Sequence, residues 1–114
     1  MPNKNRDRGH SYERQLAKEF RELGFKSTIT SRYGSRLRDD ECVDLMYTQP
    51  INVQAKRYNS APSYFTWLKE MPNDGNYNVV FHKKPNVGEL VIMSKSDFYQ
   101  ILEMLINEGI VKPR

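Results

Sequence analysis

The chain has little of what marks a secreted or membrane protein. Its 114 residues include a single cysteine, Cys42, so an intrachain disulfide is excluded. No apolar run approaches the roughly 20 residues that a membrane span needs. The charged N-terminus lacks the apolar segment of a signal peptide. We therefore expect a soluble, intracellular, cytoplasmic protein in which Cys42 is a small buried side chain rather than a nucleophile.

Apolar residues are scarce as well. Hydrophobic residues make up 38% of the chain, and the mean hydropathy is −0.79. Internal repeats and low-complexity segments are absent from the sequence. A chain of this length is expected to form one domain with its own core. We predict a mobile basic arm over residues 1–9 and one domain over residues 10–114.

Positive charge is in excess and is clustered. The net charge is +4 and the isoelectric point is near 9.2, which favours a polyanionic partner, although a solvated surface also fits so modest an excess. The basic groups surround an acidic stretch formed by Asp39, Asp40, Glu41 and Asp44. We predict that phosphates of DNA contact the following basic residues: Arg6, Arg8, His10, Arg32, Arg36, Arg38, Arg57, Lys83 and Lys84.

Hydrophobic periodicity predicts an α/β fold. Apolar residues at Tyr12, Leu16, Phe20 and Leu23 predict a helix from about residue 10 to 23, ended by Gly24. Strands are predicted over 25–31, 42–48 and 51–58, with a polar loop at 31–41. The expected order is α-β-β-β-α-β-β-α, a central mixed β-sheet flanked by helices.

The second half of the chain supplies the remaining elements of this order. A helix capped by Asn59 or Ser60, with Pro62 in its first turn, is expected to end near Pro72. A hairpin is predicted over 77–82 and 89–93. The last helix is capped by Ser94 or Ser96 and ended by Gly109. We expect it to contribute core residues, some of which a partner chain could share. Its predicted apolar stripe is Phe98, Ile101, Leu102 and Leu105.

Polar residues on consecutive strands form a pattern suited to phosphodiester cleavage. Alternation in strand 51–58 puts Gln54 and Lys56 on one face. Asp44, on the preceding strand, can meet them across a two-residue turn, and Glu13 lies at the edge of the first helix. Carboxylate and carbonyl oxygens suit magnesium, and a lysine can orient a water or stabilise phosphate charge. A polar strand face, and for Glu13 a pairing with Arg14, Lys18 or Arg21, are the alternatives.

Four short motifs in this order resemble those of the PD-(D/E)XK nuclease superfamily, in particular the archaeal- and phage-type Holliday-junction resolvases. The resemblance implies a restriction-endonuclease-like fold and a homodimer that nicks four-way junctions with Mg²⁺, for which Mn²⁺ can substitute. It further implies that Glu13, Asp44, Gln54 and Lys56 are catalytic, that Ser35 touches the scissile phosphate or a site water, and that Glu13, Asp44 and Gln54 hold the metal. The motifs are Ser11-Tyr12-Glu13-Arg14, Gly34-Ser35-Arg36, Val43-Asp44-Leu45 and Val53-Gln54-Ala55-Lys56.

The chain departs from the family pattern at two positions. Val43 stands where the family has proline, which affects only the backbone. Gln54 replaces an acid, so its carbonyl can bind a metal but adds no charge; the change is either natural or an engineered inactivation. Two rival functions stay open: a duplex-nicking or restriction-type endonuclease, and a catalytically silent DNA-binding module of the same fold. The aromatic residues Tyr64, Phe65 and Trp67 are interpreted as core, His82 as a surface residue or phosphate contact, and Tyr64, Trp67 and Leu105 as candidates for a dimer interface.

Overall fold

The computed structural model describes residues 4–60 and 63–114, with side chains from residue 9 onward. A mixed α/β arrangement with a three-stranded mixed sheet confirms the predicted fold class at that level. The elements in chain order are α1 (Lys4–Leu23), β1 (Ile29–Thr30), α2 (Ser31–Gly34), α3 (Arg36–Asp40), β2 (Leu45–Met46), β3 (Ile51–Arg57), α4 (Tyr64–Lys69), β4 (Tyr77–Lys84), β5 (Gly88–Ile92) and α5 (Lys95–Asn107).

The main sheet has the strand order β3-β4-β5. Strands β3 and β4 are parallel, with Ile51 opposite Tyr77, and the connection between them passes through α4, as a parallel pair requires. Strand β5 is antiparallel to β4 and forms an edge of this sheet. The short strands β1 and β2 form a separate antiparallel pair, and the backbone N–H of Asp44 donates to the Val53 carbonyl at 2.8 Å, which joins this pair to β3.

The apolar core lies between α1 and one face of β3. Tyr12, Leu16 and Phe20, four residues apart on α1, are buried against Val53 and other apolar residues of the sheet. Spacing of four keeps them on one helical face, as the sequence predicts. Gly24 ends the helix with a positive φ of 124°, and the N–H of Phe25 bonds back to the Phe20 carbonyl at 3.0 Å.

The opposite face of β3 is polar and yet buried. Asn52 and Gln54 are only 1% and 2% exposed. The Nδ2 atom of Asn52 donates to Asp74 and to Asn78 at 3.0 and 2.9 Å, and the Nδ2 atom of Asn78 donates to the Pro72 carbonyl at 2.8 Å. The predicted alternation is therefore present, but this face is occupied by a hydrogen-bonded network because both sides of the strand are covered.

Several predicted boundaries are wrong. Helix α1 begins at Lys4 instead of about residue 10, because apolar periodicity marks only the part of a helix that contacts a core. The predicted polar loop 31–41 contains α2 and α3, and β1 and β2 have two residues each. Helix α4 has Ser63 as its N-cap, while Asn59 and Ser60 form a bend; Pro62 lies outside the described residues.

Helix α5 has the predicted ends but does not contribute to the core. The Oγ atom of Ser94 accepts from the N–H of Asp97 at 3.1 Å, and Gly109 ends the helix with a positive φ. None of its thirteen residues is buried, and Phe98 is 48% exposed. The core role predicted for its apolar stripe is wrong within one chain, since periodicity shows which face is apolar and not what covers it. In the described part of the chain, no helix combines the length and apolar character of a membrane span.

Candidate active site

A cavity of about 660 Å³ is lined by residues from four separate segments of the chain. Glu13 comes from α1, Asp44 from the segment just before β2, and Gln54 and Lys56 from β3, and all four line this cavity. The sequence predicts these four residues as catalytic. The structure brings them together because α1 and the segment before β2 both pack along β3.

Asp44 is held in place by β3 on its backbone and on its side chain. Its N–H donates to the Val53 carbonyl, and its Oδ2 atom accepts from the N–H of Ala55 at 2.7 Å. Burial, and then the negative charge of Glu13, raise the pKa of Asp44 to about 7, while the Ala55 hydrogen bond and Lys56 act in the opposite direction. Because burial and a neighbouring negative charge both disfavour its ionised form, the Asp44 carboxyl group is stabilised by binding a proton or by a nearby cation.

Glu13 is also buried, and among the described side chains it has one charged partner. Its exposure is 9%, and its Oε2 atom lies 3.1 Å from the Nε atom of Arg32. The sequence suggested a pairing of Glu13 with Arg14, Lys18 or Arg21. In the structure its partner is Arg32, which is distant along the chain. Arg32, predicted to contact phosphate, thus directs its guanidinium at the cavity wall. Its Nη2 atom is buried and has no hydrogen-bond partner among the described residues.

Gln54 presents a buried carbonyl oxygen. Its Nε2 atom donates to the Glu70 carboxylate at 3.3 Å, whereas its Oε1 atom is buried and has no partner in the described part of the chain. Buried polar atoms without partners are rare in folded proteins, and each points to a strained group or to a missing ligand. The Oε1 atom is thus the oxygen of this side chain that is available to accept a hydrogen bond or bind a cation.

Lys56 lies at the aromatic rim of the cavity. Its Nζ atom is 5.4 Å from the ring centroid of Trp67 and 6.0 Å from that of Tyr58, so its ammonium group is held over the aromatic faces. Tyr64 packs edge-on against both Trp67 and His82, and Tyr64 and Trp67 are half-buried; no residue of α4 is fully buried, so the core interpretation holds only in part. Lys56 also interacts with the acids, because its positive charge partly offsets the rise in the pKa of Asp44.

Two sequence interpretations in this aromatic cluster are wrong. His82, expected at the surface, is 4% exposed; its Nδ1 atom lies 2.9 Å from the Tyr64 hydroxyl and its Nε2 atom 3.2 Å from the Tyr58 carbonyl. Phe65, expected in the core, is 85% exposed. Both errors have the same cause, because composition cannot tell which side of the short helix α4 packs on β4.

Ser35 lies outside the cavity wall. It is the N-cap of α3, and its Oγ atom accepts from the N–H of Arg38 at 3.3 Å. This capping bond is a sufficient structural reason for a serine at this position. A contact between Ser35 and phosphate remains a prediction that the geometry does not support directly.

The predicted DNA-binding residues differ in their surroundings. His10 and Arg57 line the cavity, and Arg36 and Lys84 are exposed. Arg38 bridges Glu41 and Asp74 at 3.1 and 3.0 Å, and Lys83 donates to Gln15 at 3.1 Å, so both have partners within the chain. The side chains of Arg6 and Arg8 are outside the described residues, although their backbone belongs to α1.

Three acidic or thiol groups near the site were not predicted as site residues. Asp39 and Cys42 line the cavity, and Glu70 bonds to Gln54. Cys42 is partly exposed, with a φ of 61°, so its predicted burial is wrong. Burial and then the charge of Glu70 raise the pKa of its thiol, which disfavours the nucleophilic thiolate. The acidic run at 39–41 was the only available signal for Asp39.

The oxygen donors of the cavity fit a weakly held divalent cation. Glu13, Asp44 and the Oε1 atom of Gln54 are the type of ligand that magnesium takes, and burial, followed by the charge of Glu13, raises the pKa of Asp44. Within residues 4–60 and 63–114, no group of three His, Cys, Asp or Glu side chains is arranged for a metal. The set therefore depends on a neutral amide, and Arg32 offsets the charge of Glu13.

Comparisons with known proteins add no family to this geometry. No family model, curated protein or solved structure matches the chain. The resemblance of the four motifs to the PD-(D/E)XK nucleases therefore stays a prediction from sequence. The arrangement of Glu13, Asp44, Gln54 and Lys56 around one cavity stands on its own.

Proposed function

We propose that this chain is a metal-dependent, structure-selective DNA endonuclease that resolves four-way junctions and has the restriction-endonuclease-like fold of the PD-(D/E)XK nucleases. One observation carries the proposal. The four residues that the motifs single out, Glu13, Asp44, Gln54 and Lys56, line the same cavity although they lie up to 43 positions apart, counted as 56 − 13 in the sequence.

The roles of these residues follow from their chemistry. Glu13, Asp44 and the Oε1 atom of Gln54 would hold Mg²⁺, with Mn²⁺ as a substitute. The bound ion would neutralise phosphate charge and lower the pKa of a water. Lys56, which lies over Trp67 and lines the same cavity, would orient or help deprotonate the attacking water or stabilise the phosphoryl oxygens.

The basic residues around the cavity suit a DNA backbone. His10 and Arg57 line it, while Arg36 and Lys84 are exposed and available for phosphates. Contacts of this kind fix the position of a nucleic acid and do not read its sequence. A preference for a branched shape over a base sequence is consistent with such a surface.

A homodimer would match the symmetry of a four-way junction. Edge strand β5 and helix α5 expose apolar side chains that one chain leaves uncovered, and Tyr64 and Trp67 are engaged inside the aromatic cluster instead. We therefore assign the proposed interface to β5 and α5. Its exposed apolar residues include Leu90 at 58%, Val91 at 61%, Tyr99 at 52%, Met104 at 47% and Ile110 at 70%.

Sedimentation checks the proposed dimer. At micromolar concentration we expect a mass of about twice the 13.5 kDa of one chain. Val91→Lys should shift the population to the monomer, because it places a charge in the apolar contact. Val87→Lys, in the turn before β5, is the matched control and should leave the mass unchanged. A monomeric wild-type chain would contradict the paired-nick mechanism.

A silent DNA-binding module is the second candidate, and a specific observation favours it. The site has one neutral ligand, Gln54, and one acid, Glu13, that is paired with Arg32 at 3.1 Å. Both features reduce the affinity for a divalent cation. A protein with these features can retain the fold and the basic surface without cleaving DNA.

One assay separates the candidates. Labelled four-way junction and a linear duplex of the same sequence are incubated with the protein, with Mg²⁺, with Mn²⁺ or with a chelator. We expect paired nicks in the junction, only with metal. Equal nicking of the duplex would favour a duplex-nicking or restriction-type enzyme. Binding of both DNAs without any cleavage would favour the silent module.

A further inference from the structure

Glu70 contacts the side-chain amide of Gln54, the residue that stands where the nuclease motif has an acid. It is the residue that follows α4, far from Gln54 in sequence, and its Oε2 atom accepts from the Nε2 atom of Gln54 at 3.3 Å. No sequence motif includes Glu70. Its charge also reaches the cavity, since it contributes to the raised pKa of the Cys42 thiol.

This hydrogen bond fixes which end of the amide is free. A carboxylate accepts hydrogen bonds and donates none, so it must face the NH₂ group of Gln54. The reversed amide would place two oxygens against each other. The Oε1 atom of Gln54, buried and without a partner in the part of the chain that the structure describes, is therefore the atom left for a ligand.

The segment that carries Glu70 is braced against the sheet. Met71 is 6% exposed, and the Pro72 carbonyl accepts from Asn78 at 2.8 Å. Asp74 accepts from Asn52 and from Arg38, both at 3.0 Å. These contacts hold the backbone just after Glu70 in a defined place relative to β3, and the exposed Glu70 side chain reaches Gln54 from there. The end of α4 offers no electrostatic reason for an acid, since cations are favoured at helix C-termini.

We propose that Glu70 is a positioning residue that makes Gln54 an effective cation ligand, so that the two side chains together replace one carboxylate. The proposal rests on the proposed function, because the cation is the one expected at that site. Glu70 orients the amide and polarises it toward Oε1, and its charge adds to that of Asp44. A glutamate at position 54 would instead lie against the Glu70 carboxylate and repel it.

Metal affinity, measured without DNA, tests this pairing. Binding of Mn²⁺ to the full chain is followed by titration calorimetry and by the loss of the free-ion electron spin resonance signal. Glu70→Ala should weaken binding by about 10-fold or more, within the range seen when a residue that orients a metal ligand is removed. Glu103→Ala, which removes an exposed acid of α5, is the control and should have no effect. Far-ultraviolet circular dichroism confirms that both variants fold.

An exchange of the two groups gives the sharper test. Glu70→Gln removes the charge that faces the Gln54 amide, whereas Gln54→Glu with Glu70→Gln places one acid and one amide in exchanged positions. We expect Glu70→Gln to weaken Mn²⁺ binding by about 10-fold or more and the double variant to recover at least the wild-type affinity. Wild-type affinity in Glu70→Gln, or no recovery in the double variant, would overturn the pairing.

The results distinguish this inference from the proposed function. Binding of Mn²⁺ by the wild type that is unchanged by Glu70→Ala overturns the role of Glu70 and leaves the nuclease proposal intact. Binding that Glu70→Ala weakens, in a protein that cleaves no DNA, supports the role of Glu70 and contradicts the nuclease proposal. Failure of the wild type to bind Mn²⁺ overturns both.

Discussion

Apolar side chains are buried in the region around β3 and exposed in the region formed by β5 and α5. Val53 in β3 is fully buried, whereas Val91 in β5 is 61% exposed. Leu16 in α1 is 1% exposed, whereas Phe98 in α5 is 48% exposed. Both helices have an apolar stripe and a glycine with positive φ after the last turn. The difference shows that an apolar stripe predicts which face of a helix makes a contact, whereas the packing of distant segments determines what that face contacts.

The comparison also separates where chemistry can occur. Around β3, apolar packing on one face fixes the strand, and the cavity beside it contains charged groups that burial perturbs. No residue of β5 or α5 is buried. The exposed apolar surface of this region is suited to a protein partner instead. Function is therefore expected to divide between the two regions, with catalysis at β3 and assembly at β5 and α5.

The largest expected effect is on cleavage at the β3 site. Asp44→Asn should reduce nicking by about a hundredfold or more, because it removes a charged ligand from the site. DNA binding should be unchanged or tighter, because negative charge beside phosphate is lost. Rates of junction cleavage and gel-shift affinities measure the two effects. Asp40→Asn, at an exposed acid that does not line the cavity, is the control. A fully active Asp44→Asn protein would rule out the site.

The next largest effect is on stability, and it contrasts the two helices. Leu16→Ala should lower the free energy of unfolding by about 2–5 kcal/mol, the usual cost of truncating a buried leucine. Phe98→Ala should cost less than about 1 kcal/mol in the dilute monomer, because that side chain is half exposed. Urea unfolding at low and high protein concentration measures both. A growing cost of Phe98→Ala with concentration would show that a partner covers α5, and equal costs in the monomer would contradict the comparison.

A pH effect of a few kcal/mol is expected at Asp44. Burial and Glu13 raise its pKa from 3.8 to about 7, so between these values the native chain holds a proton that the unfolded chain has lost. The stabilisation is present at low pH and is lost as the pH rises through about 7, at up to about 1.4 kcal/mol per pH unit. Asp44→Asn cannot ionise, so its stability advantage over the wild type should grow across this window.

Urea unfolding in a chelating buffer at about pH 4.5, 6 and 7.5 checks this expectation. The difference between the two proteins is the useful quantity, because carboxyl groups distant from Asp44 titrate equally in both. Mg²⁺ should reduce the difference at the highest pH, since a cation relieves the same charge. A difference that is independent of pH would mean that Asp44 is not perturbed by its surroundings.

The smallest expected effect concerns DNA binding by two neighbouring arginines. Arg36 is exposed, so Arg36→Ala should flatten the slope of log affinity against log salt by about 0.9, the value for one duplex phosphate contact. Arg38 is held by Glu41 and Asp74, so Arg38→Ala should lower the stability and change the slope less. Fluorescence anisotropy over a salt series measures the slopes. Equal slope changes would show that Arg38 leaves its acids to bind DNA.

Much of the fold was predictable because it depends on local patterns. The period of Tyr12, Leu16 and Phe20 identified α1 and its buried face, and the alternation in 51–57 identified β3. Gly24 and Ser94 marked helix ends through backbone and side-chain capping. The short helices α2 and α3 were missed, since segments this short have no apolar period to reveal them.

The sequence places the four candidate residues together, as the shared cavity does, but it does not predict their surroundings. Asp44, Gln54 and Lys56 were identified by their spacing, and Glu13 by its place beside an apolar stripe. The pairing of Glu13 with Arg32 and of Gln54 with Glu70 joins residues far apart in sequence, so no local pattern contains it. The raised pKa of Asp44 likewise depends on burial, which only packing determines.

The sequence by itself determined the elements, the apolar face of each helix and the residue types available for chemistry, because propensity, period and capping act within a few residues. Only the tertiary structure decided that both faces of β3 are covered, that four polar residues share one cavity and that α5 is left uncovered in one chain. These outcomes depend on contacts between distant segments, whose geometry follows from how α1, α4 and the strands pack together.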